Sequence, residues 1–339
     1  MKFVIFNDTR TNKHHGCECV LNVIVHNLRA RGGEILFTSP LNNAWWKDQK
    51  LKEAIEASDV VLINGEGTIH HGSKYGLWLL KAAEYAKEKN KKVFLINALW
   101  QDNPNSFYKY LSFIDCIYVR DSFSQIELAE HGYDSVLLSD LTFDENVSKY
   151  ISHIESEIAI TDSVFNILST RLKRKAESSA FKFLPVVFLG QGVLGFIKFV
   201  FGGFGVKNIP NNFLSYLSYI FYKLSIIKDV SSNRSNYLEC LSESSGVICA
   251  RFHTLCFVLK LKKPFFVIES NSHKVKALLR DVGVFDERLF LSENSVLNDD
   301  FDFDLARNIL LENDYNTKVD SYIEKSRGDI KKMFDGFFK

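Results

Sequence analysis

Short runs of consecutive apolar residues, separated by stretches where apolar positions recur every three or four residues, set the pattern of the first 150 residues. Phe3-Val4-Ile5-Phe6 predicts a strand ended by Asn7-Asp8. Cys17, Val20, Leu21, Ile24 and Leu28 then follow helical spacing up to Gly32-Gly33. Residues 35–37, 60–63, 93–96, 117–119 and 136–138 predict further strands, and a helix through Leu77, Leu80 and Ala83 runs toward Asn90. Strands that are apolar on both faces and alternate with helices indicate a parallel sheet covered on each side. Ligands of such sheets sit beyond the carboxyl ends of the strands. That singles out residues 7–16, 64–71, 120–122 and 139–140.

The second half repeats this pattern with an interruption. Strands are expected at 158–160, 247–250 and 265–268, with a helix from Thr254 to Lys260 and another through Val275, Leu278 and Leu279. The expected architecture is therefore α/β, with two Rossmann-like domains, 1–150 and 151–339, facing each other across a cleft. The interruption, at about 171–227, is Phe- and Gly-rich. It opens on a basic cluster (Arg171, Lys173, Arg174, Lys175), followed by an apolar run from 183 to 206 and recurrent aromatics to Tyr222. A spanning helix needs about 20 apolar residues, and Pro185, Lys198 and the glycines argue against one. Two readings stand: a segment lying on an anionic membrane surface, or a buried helical hairpin.

Composition narrows the class. With 46% hydrophobic and 24% charged residues the chain is an ordinary globular one. Its 42 basic and 41 acidic residues give a net charge of +1, so no global field recruits nucleic acid. The 29 phenylalanines call for an extensive core or a membrane contact. Six scattered cysteines form no CxxC pair. The N-terminal residues read as a strand and not as a signal peptide, so a reducing, cytoplasmic setting is expected.

Chemistry-bearing residues cluster at the expected strand ends. Asn64-Gly65-Glu66-Gly67-Thr68 lets backbone N–H groups approach an anion, or is a tight turn that merely needs glycine. Arg251-Phe252-His253 places a planar fork for carboxylate or phosphate beside a group that moves protons near neutral pH. The plain alternative is an Arg paired structurally with an acid. Arg120 offers a second fork, and Asp121-Ser122 suit a helix cap. Asp140 is a base or a loop holder. The pairs His14-His15 and His70-His71 suit ligand hydrogen bonding better than a metal, because adjacent histidines seldom point the same way.

In this order, these residues resemble the polysaccharide pyruvyl transferase family. The resemblance lies in residues 65–68, Val119-Arg120-Asp121-Ser122, Ser139-Asp140 before Leu141-Thr142-Phe143, Arg251-Phe252-His253, and the apolar strand before Lys274. It runs from about Asn7 to Val284. The resemblance implies a GT-B-like pair of domains that transfer the enolpyruvyl unit of phosphoenolpyruvate to a sugar as a ketal, with that donor as co-substrate and no cofactor or metal. It implies His253 as catalytic acid; Glu66 and Asp140, read from their own positions, are the other candidate catalytic groups. Arg251, Arg120, Gly65, Gly67, Thr68 and Lys274 would hold the donor, and His14, His15, His70 and His71 the acceptor. The acceptor would be a sugar or lipid-linked oligosaccharide, met in the cytoplasm or at the inner face of the cytoplasmic membrane. The sequence departs from the family at its first turn, at Glu66, where a glycine is usual, and at residues 270–273. Two alternatives stay open: a glycosyltransferase using a nucleotide-activated sugar, and a non-catalytic sugar- or lipid-binding protein.

Overall fold

A computed structural model describes residues 1–152, 156–187 and 233–339. Two parallel sheets organise them. The first holds β1 (Lys2–Asp8), β2 (Glu34–Pro40), β3 (Val60–Glu66), β4 (Lys92–Ala98), β5 (Cys116–Val119) and β6 (Val136–Leu137), in the order β2-β1-β3-β4-β5-β6. The second holds β7 (Ile158–Ile160), β8 (Phe181–Phe183), β9 (Val247–Cys249), β10 (Phe265–Ile268) and β11 (Phe290–Leu291), in the order β11-β10-β9-β7-β8. Each sheet therefore reverses its winding between its first and third strands. Such a reversal leaves an open crevice beyond the strand ends.

The expected strands are all present; β1, β3, β4, β9 and β10 are buried almost throughout, whereas β2 and β6, toward the edges of the first sheet, are only partly covered. β3 is buried along its whole length. Register then aligns the functional ends: Phe6 pairs with Ile63, and one residue further Asn7 Nδ2 donates to Asn64 O at 2.6 Å. Two strands, β8 and β11, were not expected.

The interruption begins later than residue 171. Residues Asn166–Ser178 form a helix, and 181–183 are β8. The basic cluster lies on that helix, where Arg171 pairs with Glu293 (2.5 Å) and Lys175 with Asp299 (2.6 Å). The apolar run from 188 and the aromatics to Tyr222 lie outside the described residues. Among the described residues no helix is long and apolar enough to cross a membrane.

Many of the described phenylalanines are core residues. One buried cluster lies between the first sheet and the helices Gln49–Ala57 and Lys74–Glu88. The other joins the opposite face of the first sheet to the second sheet, from Phe3 and Ile5 through Val20 and Ile24 to Ile248, Phe257 and Phe265. The C-terminal helix, Tyr315–Phe337, closes on the first sheet: Phe337 meets Phe94 at 4.7 Å, Phe338 meets Phe3 at 5.3 Å, and Arg31 pairs with Asp335 at 2.7 Å.

Candidate active site

The ends of both sheets open on one cavity of about 390 Å³. From the first sheet it is lined by Thr9, His14, Cys17, Glu66, Gly67, Thr68, His70 and Arg120. From the second come Arg251, Phe252, His253 and Lys274.

The helix His15–Ala30 starts at this cavity and is capped by a side chain that seldom caps. His14 Nδ1 accepts from Gly16 N (3.1 Å) and Cys17 N (3.4 Å). Burial, then the nearby His253 and Arg251, push the His14 pKa well below its ordinary value, so the ring is neutral. With Nδ1 accepting, a neutral imidazole carries its proton on Nε2. Gly16 explains the next contact. A Cβ there would stand 2.2 Å from His253 Cγ, so the His253 ring rests on bare backbone.

His253 opens the helix Phe252–Leu261 directly after β9. It is buried, and its Nε2 has no hydrogen-bond partner. Asp140 Oδ2 lies 3.6 Å from that atom and 3.1 Å from Arg120 Nη1. Asp140 Oδ1 accepts from Thr142 N (2.9 Å) and Oγ1 (2.7 Å). Burial pushes the Asp140 carboxyl up, but His253, Arg120 and Thr142 together outweigh it and hold the group well below its ordinary range. Asp140 is fully buried and does not line the cavity. Its contacts are with His253 and Arg120, one layer behind the lining residues.

Three cations converge. Arg120 lies with its guanidinium 4.3 Å over the Phe252 ring and its Nε unpartnered. Arg251 grips Asp162 Oδ2 through Nε (3.0 Å) and Nη2 (2.8 Å) while still lining the cavity. Lys274 donates to Asn271 Oδ1 at 3.0 Å. Burial, then Arg120 and Arg251, push the Lys274 ammonium down to about 7.

A family model of the polysaccharide pyruvyl transferases matches residues 14–272, which contain all of these groups except Thr9 and Lys274. The chain belongs to the polysaccharide pyruvyl transferase family. No curated protein matches it. Among solved structures, an alpha-glucosyltransferase in complex with UDP and a 13-mer DNA is 12% identical with a TM-score of 0.50, covering 100% of both chains. That likeness extends to the fold, a GT-B-like arrangement of two parallel sheets. A protein from Klebsiella pneumoniae is 10% identical over 86% of this chain and 92% of its own, with a TM-score of 0.47. The T4 phage BGT with UDP and Mn2+ is 11% identical over 99% of this chain and 98% of its own, with a TM-score of 0.39.

Several residues of this transferase take other places than the sequence suggested. Gly65 does not reach the cavity; a Cβ there would meet Ala98 at 2.6 Å, so this glycine serves strand packing. The helix that follows this turn begins only at Lys74, capped by Ser73. Glu66 is turned onto protein donors: Thr9 Oγ1 (2.6 Å) and Asn64 Nδ2 (2.9 Å) on Oε1, and Cys17 Sγ (3.2 Å) on Oε2. These bonds fix its carboxylate at the cavity wall. His15 is fully buried and stacks on Tyr237 at 4.6 Å, away from any acceptor. His71 is exposed, sits 3.3 Å from Asp102 and lies off the cavity. His70 lines it, pushed down to about 4 by burial and then by Lys274.

Ligating atoms of His14, Cys17 and His253 lie within 4.8 Å of one another, the one such set among the described residues. The His14 Nδ1 lone pair is committed to the helix N-terminus. The Cys17 thiol is held protonated, its pKa raised by burial and then by Glu66. A metal held here would have to displace the thiol proton of Cys17 and a proton or hydrogen bond of His14. Cys17 and Asp162 were not singled out by sequence reasoning, and Thr9 and Gly16 only as members of the segment 7–16. Gly16 and Cys17 carried a further signal, as neighbours of the His14-His15 pair.

Proposed function

We propose that this protein transfers the enolpyruvyl unit of phosphoenolpyruvate to two hydroxyl groups of one sugar, forming a cyclic ketal and releasing phosphate. The observation that carries the reading is the convergence of Arg120, Arg251 and Lys274 on the cavity that His253 lines. Phosphoenolpyruvate presents a phosphate and a carboxylate, and two guanidinium forks with one ammonium match them. His14, a neutral N–H donor, adds a hydrogen bond that does not depend on pH in the neutral range.

With the donor held, His253 as imidazolium gives its proton to the methylene carbon, which becomes the methyl group. The π electrons form that C–H bond, and the central carbon takes up positive character shared with its phosphate-bearing oxygen. A sugar hydroxyl adds there and returns a proton to His253. A second hydroxyl then replaces phosphate, which leaves with the remaining proton. The ionised Asp140, 3.6 Å from Nε2, gives the ring a fixed carboxylate to orient against while it passes the proton. The sugar is best tested in free form first, because Arg171 and Lys175, which suggested an anionic membrane surface, are paired with acids.

The glycosyltransferase fold favours one second reading, a nucleotide-activated sugar as donor. Ligand-induced thermal shift separates the two. A ligand at 100 times its Kd adds about 2.7 kcal/mol of stability. A shift with phosphoenolpyruvate that disappears in Arg251→Ala supports pyruvyl transfer. A shift with a nucleoside diphosphate and none with phosphoenolpyruvate establishes the second reading.

A further inference from the structure

A row of aromatic rings leads from the cavity to the surface along the first sheet. Tyr75 and Asn42 line the cavity and also a narrow slot beside it, and Trp78 forms part of that slot. Trp78 meets Tyr75 edge-on with centroids 5.2 Å apart, and Trp46 meets Trp78 edge-on at 4.7 Å. Trp46, the outermost ring, is 37% exposed. Lys74 Nζ sits 5.2 Å from the Tyr75 centroid and 5.4 Å from that of Trp78.

We propose that this row is the acceptor subsite, where the apolar C–H face of a neutral sugar ring stacks on Trp78 and Trp46 while its reacting hydroxyls reach past Tyr75 and Asn42 to His253. The inference rests on the sugar acceptor proposed above. Neighbouring Trp45 shows what a structural tryptophan looks like here. It is buried, its indole N–H donates to Trp78 O at 2.9 Å, and its ring packs on Tyr85. That scaffold fixes Trp78 from behind and leaves Trp46 facing solvent. Rigid aromatic rings with a polar N–H at one edge suit a ligand that is apolar on one face and hydroxylated at its rim. Asn42, Ser73 and His70 bring hydrogen-bonding groups to the inner end. A lipid or protein partner would also cover apolar rings, but the row ends in the reaction cavity, among groups that suit hydroxyls. The histidine pairs expected to hold the acceptor contribute only His14 and His70 to this wall.

The test is binding of the purified protein to an array of bacterial surface glycans, with phosphoenolpyruvate-induced thermal shift measured in parallel. Wild type should bind glycans with neutral sugar units. Trp46→Ala, a surface change that leaves the fold intact, should weaken that binding at least tenfold. Trp78→Ala should do the same, and Trp78→Phe should restore most of it. The phosphoenolpyruvate shift should be unchanged in all three. No glycan binding by wild type, or binding that survives both alanine variants, overturns the subsite. So does a loss in Trp46→Ala of binding to anionic vesicles with glycan binding unchanged. A missing phosphoenolpyruvate shift in wild type would overturn the donor reading instead and leave the glycan result standing.

Discussion

His14 performs two tasks through two nitrogens, and substitution separates them. Asparagine is a good N-cap but lacks the distal N–H, so His14→Asn should keep the thermal midpoint near wild type and weaken phosphoenolpyruvate binding. His14→Ala should lose both, with about 1 kcal/mol of stability gone with the cap. Equal donor affinity in His14→Asn and wild type would show that Nε2–H touches no ligand. Gly16 is the complementary position. Gly16→Ala forces a methyl into the His253 ring, 2.2 Å from Cγ, and should cost about 1–3 kcal/mol and most of the activity, measured by denaturation and phosphate release. If Lys274 helps to hold the donor as proposed, it sets the pH dependence of donor binding. Its ammonium, at about 7, is charged below that pH and neutral above it. An anionic donor favours the charged form, so affinity should fall as pH rises above 7, by up to about tenfold per unit. Lys274→Arg, charged throughout, should flatten the profile from pH 6 to 9; a slope unchanged in that variant would assign the titration elsewhere. Arg120, Arg251, His253 and Lys274 were legible because each directly follows a buried strand or opens the next helix. Gly16 was not, because its need for hydrogen arises only when His253 arrives from the other sheet. Nor was Asp162, whose partner Arg251 lies 89 residues away. His14 and His15 look alike in sequence, yet one is the cap residue and the other points into core beside Tyr237.

At the scale of elements, a strand was most legible where it carried an uninterrupted apolar run. β3 and β4 could be read from uninterrupted apolar runs. β8 and β11 are three and two residues long, with half-buried side chains, too short to show a period. Missing β8 led the basic helix before it to be grouped with the interruption. The polar contacts between the sheets were equally hidden, since they join groups far apart in sequence. Lys260 is the clearest. From within the buried face of the helix Phe252–Leu261 its Nζ donates to Thr142 O (2.5 Å) and Glu145 O (3.3 Å) of the segment that follows the first sheet. Read from sequence alone, it looked like the last residue of an amphipathic helix. Lys260→Met keeps the stem and removes the donors, leaving two carbonyls short of partners. Urea denaturation should show a loss of about 1–3 kcal/mol. An unchanged midpoint would mean that water takes over both carbonyls.

For the whole molecule, the shared core argues against two independently stable halves. Apolar packing runs without a break from Phe3 and Ile5 through the helix His15–Ala30 to Ile248 and Phe265. The C-terminal helix, which follows the second sheet in sequence, buries Phe334 and Phe337 against the first. Removing either half would expose the face that the other covers. The sequence could not show this, because the hydrophobic pattern of a strand or helix tells that a face is buried but not which element buries it. The distribution of tryptophans makes the point measurable. All four, Trp45, Trp46, Trp78 and Trp100, belong to the part of the chain that builds the first sheet. Tryptophan fluorescence therefore reports that sheet alone, whereas far-ultraviolet circular dichroism reports both. One cooperative unit requires the two urea transitions to coincide, in midpoint and in steepness. Phosphoenolpyruvate, held by Arg120 on one side and Arg251 on the other, should move both curves together. A dichroism transition that precedes the fluorescence change would show the second sheet unfolding first, and the cavity would then be a junction between separable domains.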